Sequence, residues 1–511
     1  MRALTIFMAS GVTAGLLAGC KGKGTDEAAA TPPAVGAGSA SSAAPKGPCP
    51  AGEAHGPLTW IEDDYAGAVA CATSKHRPLM IDMWAPWCHT CLSMKATVLA
   101  DASLAPLAER FVFLSLDTDR PSSAAAVGKF PLTNWPTFFV VEPEQETVQG
   151  RGLGAASIMQ LRAFLKDGES AALAAMAGTG LDPLLAKVRD GDQAANRKDL
   201  TAADRAYGEA LAAAPADWPR RSDVLVAQIA ARYKRDDIAG CLDLALSSAD
   251  ATGTTANATD FLVWALMCAD DQAADPAKAW AVREQTVARL RPLIDDAAAP
   301  LSIDDRSDAM LNLREALAAL GKPDEARAIA TRQLDFLADA AGKAPDAWTA
   351  MTYNWPRAEV HVFLDRGQEL APALAKSAGD LPREYDPPYR LAWVLLKSGD
   401  AAAAQPWIEQ ATTLAYGPRK VRVLGLAIEI AKANGNAPVE RAARNALIGT
   451  LERLEPGHQQ PETLAKARAE LAAMDTAEDL RRRQAGGGAI GPGAGSGPGA
   501  AGTGAAGGPP R

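Results

Sequence analysis

Grouped basic side chains are missing from this sequence. Its 52 Lys and Arg are outnumbered by 61 Asp and Glu, leaving a net charge of −9. Nucleic-acid binding draws its affinity from clustered cations that neutralise phosphates, so that partner is not expected. Arg481-Arg482-Arg483 reads as following the last helix, where cations complement the dipole end. A second Cys-x-x-Cys is missing as well, and histidines number only five. Zinc at Cys88 and Cys91 would need two further thiolate or imidazole ligands, yet only His55 and His76 are nearby, with His89 inside the motif itself. No metal and no cofactor are therefore expected. Paired-carboxylate spacing is also lacking: Asp63-Asp64 and Asp304-Asp305 sit where helices begin and read as first-turn acids.

The apolar run at residues 3–17 is too short to span a bilayer comfortably. With Met1-Arg2 before it and small residues after, it reads as a secretory signal over residues 1–19. Its end, Leu17-Ala18-Gly19-Cys20, resembles the lipobox of bacterial lipoproteins. The resemblance implies a lipid on Cys20 and a membrane anchor on the periplasmic side, with Lys21 in place of Asp favouring the outer membrane. Residues 20–57 are rich in Ala, Gly, Ser, Thr and Pro and read as a disordered tether, with a reach on the order of 30 Å. Residues 485–511 read as a disordered Gly/Ala/Pro tail.

Between these lie two textures. Over residues 58–168, strand-like runs (LMIDMW, FVFLSLD, TFFVVE) alternate with helical stretches, the pattern of an α/β domain. Over 171–483 the strand-like runs vanish and Ala-rich helical segments follow one another. Gly191, Ala203, Tyr207, Ala210 and Pro215 share offsets with Ala392, Ala404, Ile408 and Ala411, and Leu320 to Ala326 reads as an inter-helix turn. Small residues at such offsets let antiparallel helices approach closely and stack. This resembles tetratricopeptide repeats, an all-α solenoid whose concave face takes extended peptides or helices. Trp264, Trp280, Trp348, Trp355, Trp393 and Trp407 read as core or concave-face anchors.

The chemistry sits at residues 81–91, IDMWAPWCHTC. A buried strand, Leu79–Trp84, runs into the turn Ala85-Pro86-Trp87, which delivers Cys88 to a helix start. Unpaired N–H groups and the macrodipole there favour the thiolate, making Cys88 the nucleophile and Cys91, one turn later, the resolving thiol. Asp82, Trp87, Cys88, Cys91 and the following Lys95 match the thioredoxin active-site pattern. Asn134-Trp135-Pro136-Thr137 resembles that family's cis-proline loop, and Gly150–Gly154 with Ser157–Lys166 its closing strand and helix. The resemblance implies a thioredoxin fold, with Asp82 as buried proton acceptor and Trp87, Trp135, Pro136 and His89 meeting substrate. Within the family, Lys75–Asp82 and Val98–Leu104 look most like the carboxy-terminal periplasmic domain of the thiol:disulfide interchange protein DsbD.

His89-Thr90 departs from the Gly-Pro of reducing thioredoxins and the Pro-His of oxidising ones: an imidazolium near the Cys88 sulfur would stabilise the thiolate and make the couple more oxidising, or His89 points to solvent, so the direction of electron flow stays open, with a lean toward reductase or isomerase. Once Cys20 is lipidated, six cysteines remain; Cys49–Cys71 and Cys241–Cys268 are candidate structural bridges, with exchange of Cys49 or Cys71 with Cys88 as the alternative. The expected function is a membrane-anchored thiol:disulfide oxidoreductase acting on protein thiols and disulfides, recycled by a redox partner, with helical repeats recruiting a protein. The alternative is a non-catalytic scaffold in which the repeats alone bind a partner.

Overall fold

The structure, a computed structural model, describes residues 49–486. The expected signal peptide, Cys20, most of the tether and nearly all of the tail lie outside the described residues. Among the described residues no helix is long and apolar enough to cross a membrane.

Residues 49–177 build a sheet domain from β1 (Glu53–His55), β2 (Leu58–Glu62), β3 (Leu79–Trp84), β4 (Val112–Asp117), β5 (Thr137–Glu142) and β6 (Thr147–Leu153). The described strands form one sheet in the order β1-β2-β4-β3-β5-β6. β3 and β4 are parallel neighbours, while β5 and β6 add on antiparallel. β3 is central and buried on both faces, which explains its unbroken run Leu-Met-Ile-Asp-Met-Trp. The helices are α1 (Tyr65–Lys75), α2 (His89–Ala96), α3 (Ala124–Lys129) and α4 (Ile158–Ala177).

Two expected boundaries shift. The tether was to run to residue 57, but β1 pairs with β2 at Glu53–Trp60 and Cys49 is bonded to Cys71 of α1, so order begins earlier. The closing helix was to end near Lys166, yet α4 continues to Ala177 because the Ala-rich stretch after Gly168 carries no breaker before Gly178, which takes the left-handed C-cap.

The rest is helical. Hairpins are made by α5 (Pro183–Asn196) with α6 (Leu200–Ala213), α7 (Arg221–Lys234) with α8 (Ile238–Ser248), α9 (Ala256–Asp270) with α10 (Pro276–Asp295), and α11 (Ile303–Ala319) with α12 (Pro323–Lys343). After the short α13 (Ala347–Thr352) come α14 (Asn354–Phe363) with α15 (Gly367–Asp380), α16 (Asp386–Lys397) with α17 (Ala401–Leu414), and α18 (Gly417–Ala433) with α19 (Ala437–Glu452). The last helix, α20 (Pro461–Gly486), contains Arg481-Arg482-Arg483, which therefore does not follow the last helix as expected.

Ala203, Ala210, Ala392, Ala404, Ile408 and Ala411 are all 0% exposed, so the offsets that sequence singles out do mark the helix contacts. At Gly191 a Cβ would lie 2.6 Å from the Tyr207 ring, so only glycine lets α5 approach α6 this closely. The Tyr207 hydroxyl then donates to Asp192 at 2.8 Å. Cys241 of α8 and Cys268 of α9 are bonded, tying neighbouring hairpins.

The array curls around the sheet domain, and the polar contacts between them come from the first helix of each hairpin or the residues leading into it. Asp192 of α5 accepts from the Arg151 N–H of β6, Ser222 of α7 and Asn257 of α9 meet Gln160 of α4, and Asp260 of α9 accepts from the Ala155 N–H. Farther along, α11, α16 and α18 reach the loops at the carboxyl ends of β3 and β4, and Gly457, before α20, packs on Ala124 and Gly128 of α3. The inner layer of the array is thus filled by the chain's own sheet domain, where sequence reasoning expects a concave surface open to partners.

Candidate active site

The turn after β3 places Cys88 as the N-cap of α2, and its Sγ accepts from the Cys91 N–H at 3.0 Å. That donor is one of the unpaired amides of a helix start, so the position stabilises negative charge on the first sulfur. The two cysteines are joined by a disulfide, with Cys88 5% and Cys91 1% exposed. Around them pack Ala85, Trp84, Trp87 and Trp135. The Trp135–Pro136 peptide is cis, and the Trp135 ring lies against Trp87 with centroids 5.3 Å apart.

Asp82 is buried one face-period before Trp84 on β3. Burial pushes its carboxyl up to about 6, while Lys95, whose Nζ lies 3.8 Å away, pulls the other way. Lys95 also sits 3.9 Å from the Trp84 ring and donates to Ser115. A polar cleft lined by His55, Glu62, Asp82, Trp84, Lys95 and Trp348 leads to this carboxyl from outside. An acid raised to about 6 and reached by a polar cleft is mostly ionised at pH 7 and can take and release a proton.

His89 does not point to open solvent. Its Nδ1 lies 2.9 and 3.0 Å from the two carboxylate oxygens of Asp304, at the start of α11. Burial alone would lower the imidazole, but Asp304 and Asp308 outweigh it and push it up to about 10. Sequence reads Asp304-Asp305 as first-turn acids, and both occupy that turn. Only Asp305 acts as one, closing a capping box with Ser302; Asp304 crosses to the redox loop. His89, Asp304 and Asp308 bring side-chain nitrogen and oxygen atoms within 4.8 Å of one another, a closeness that the His89–Asp304 pairing accounts for.

Further array residues close over Trp87. Arg390 of α16 donates to the Trp87 carbonyl at 3.0 Å, and the Arg419 guanidinium of α18 lies 4.8 Å from its ring. The indole N–H of Trp87 donates to Asp119, which also accepts from Tyr385, and Asp117 accepts from Tyr416. Burial and the Asp119 carboxylate push Asp117 up to about 7, and burial pushes Asp119 to about 6 against the pull of Arg419. Leu92 of α2 packs with Met351 and Leu381, and Ser93 reaches Ser302.

Residues 60–143 match the family model described as thioredoxin-like. The amino-terminal domain is thioredoxin-like. No curated protein matches the chain. Among solved structures, a tetratricopeptide repeat protein from Parabacteroides merdae ATCC 43184 is similar at 12% identity and a TM-score of 0.36, over 57% of this chain and 98% of that one. The stacked hairpins of the array identify it as a helical-repeat domain in their own right.

Of the residues that sequence singles out, Asp82, Trp87, Cys88, His89, Cys91, Trp135 and Pro136 gather at one end of the thioredoxin-like domain. Cys49, Cys71, Cys241 and Cys268 lie away from it as two bridges. Asp304, Arg390 and Arg419 were missed. Asp304 stands 215 residues from His89, and nothing local in the sequence joins them. Trp264 is buried against Tyr233, Trp355 lies tilted against Trp393, and Trp407 packs on the core of the later hairpins; Trp280 is substantially exposed, as is Trp348, which lines the cleft to Asp82.

Proposed function

We propose that the chain is a thiol:disulfide oxidoreductase acting on protein thiols and disulfides. The observation that carries this reading is the Cys88 sulfur capping α2 with Cys91 bonded to it, at the end of the strand that holds the buried acid Asp82. In the reducing direction, the Cys88 thiolate attacks a substrate disulfide, forming a mixed disulfide and expelling one substrate thiolate. Cys91 gives its proton to Asp82, attacks the Cys88 sulfur, and expels the second substrate thiolate; two electrons pass to the substrate and the Cys88–Cys91 disulfide re-forms. A dithiol donor must then reduce the couple again. Trp135, held by the cis peptide to Pro136, offers backbone to an extended substrate segment. Attachment of Cys20 to lipid, with the protein on the periplasmic side of a bacterial membrane, belongs to the same proposal.

The array contributes protein interaction, and its first partner is the chain's own thioredoxin-like domain. An outside protein partner would meet the outer helices or the edges of the enclosed domain. A second reading, a scaffold without turnover, is favoured by one observation: the array closes over Trp87 and leaves Cys88 nearly covered. Insulin reduction separates the two. Turnover that disappears in Cys88→Ser supports the enzyme, and Cys91→Ala is expected to accumulate mixed disulfides through Cys88 that name the clients. Absence of both turnover and trapped species would leave the scaffold.

A further inference from the structure

We propose that Asp304, supplied by the helical array, is a positioning residue of the Cys88–Cys91 couple, holding the His89 ring in one place beside Cys88 so that its influence on the first sulfur stays constant. The proposal rests on the oxidoreductase reading.

The geometry is specific. The Asp304 side chain is 0% exposed and faces the ring nitrogen with both oxygens, while the His89 side chain keeps 22% exposure. A buried carboxylate needs a partner, and the side chain that faces this one is His89, the first of the two residues between the cysteines. The charged groups around His89 are Asp304, Asp305 and Asp308 of α11 and Arg390 of α16, with the sulfur of Cys88 before it in the chain. Asp260 of α9 lies behind the α11 acids and repels them. A lone imidazolium beside Cys88 would stabilise its thiolate and favour the reduced couple. Paired with Asp304, the same ring lies against a buried carboxylate that faces it with both oxygens, and the ring, pushed up to about 10, keeps its charge over the ordinary pH range. The array thus removes a titration that an exposed histidine would impose near pH 6.5.

The test follows the reduced full chain and its Asp304→Asn and Asp304→Asn/Asp308→Asn variants, with Asp304→Glu as the conservative rescue. Two readouts are the NMR titration of the His89 ring and the rate of Cys88 alkylation by iodoacetamide, mapped on its peptide, from pH 5 to 8. In the wild type the His89 ring is expected not to titrate over this range. In the Asn variants it titrates, and the ratio of variant to wild-type alkylation rate falls about three- to tenfold as pH rises and the unpaired cation is lost. The Glu variant restores a flat ratio. A wild-type His89 that titrates near 6.5 overturns the proposal without any variant being needed, as does a pH-independent ratio in folded Asn variants. A chain with no insulin-reduction activity would defeat the oxidoreductase reading while leaving the His89 titration to report on the pair by itself.

Discussion

At the level of single residues, the site divides by sequence distance. Asp82, Cys88 and Cys91 were legible because a strand, a turn and a helix start fix them relative to one another locally, and residue spacing records that, while Pro136, just before β5, was legible only through the resemblance to the thioredoxin cis-proline loop. Asp304 was not, because its role depends on a fold that brings α11 to α2 across 215 positions. Asp82 also carries a stability consequence. Its carboxyl rises from an ordinary 3.8 to about 6 on folding, chiefly through burial. Between those values the folded chain binds the proton more tightly than the unfolded one, so stability falls as pH rises through the window and the penalty is complete above it. Asp82→Asn is expected to raise stability at pH 7 by up to about 2–3 kcal/mol, since a tenfold difference in proton affinity corresponds to about 1.4 kcal/mol. Urea melts should show that gain disappear below pH 3.8. The same variant is expected to slow resolution of the mixed disulfide by about 100-fold or more, as loss of a general base does, and stopped-flow measurement of the second exchange step checks it.

Among elements, periodicity identified β3, β4 and β5 and the paired helices, because apolar runs and small-residue offsets are written directly into them. Boundaries were harder. β1 emerges from a stretch with few large apolar side chains because the Cys49–Cys71 bond and pairing with β2 supply order that composition does not. The Cys241–Cys268 bond does comparable work between α8 and α9, closing a separation of 27 residues with both cysteines 0% exposed. Replacing both by Ser is expected to cost about 3–4 kcal/mol, the loop-closure value for that length. Calorimetry of the double variant should show a lowered midpoint with insulin reduction intact at temperatures where the array is folded. An unchanged midpoint would mean the bond adds nothing to the packing around it.

For the molecule as a whole, sequence separates a thioredoxin-like part from a helical part but says nothing of how they meet, since the contacts pair residues hundreds of positions apart. Asp117 with Tyr416, and Asp119 with Tyr385 and Trp87, hold α16 and α18 against the loops after β4. Asp117 titrates at about 7 when docked, raised mainly by burial and next by Asp119. Docking therefore binds a proton and weakens as pH rises through that value. Hydrogen exchange of Gly417–Ala433, corrected for intrinsic rates, is expected to be less protected at pH 8 than at pH 5.5, with Cys88 alkylation quickening in parallel beyond its own ionisation. Equal protection at both values would show that the contact does not respond to Asp117.

Asp192 near the start of the array and Gly457 near its finish both rest on the same enclosed body. A belt buckled at each end to the object inside it can fasten only once that object has its shape. Because the ribosome releases the amino-terminal domain first, and domains fold as units in that order, the enclosed body serves as the former on which the belt is wound, and a chain whose first domain fails leaves the belt undone.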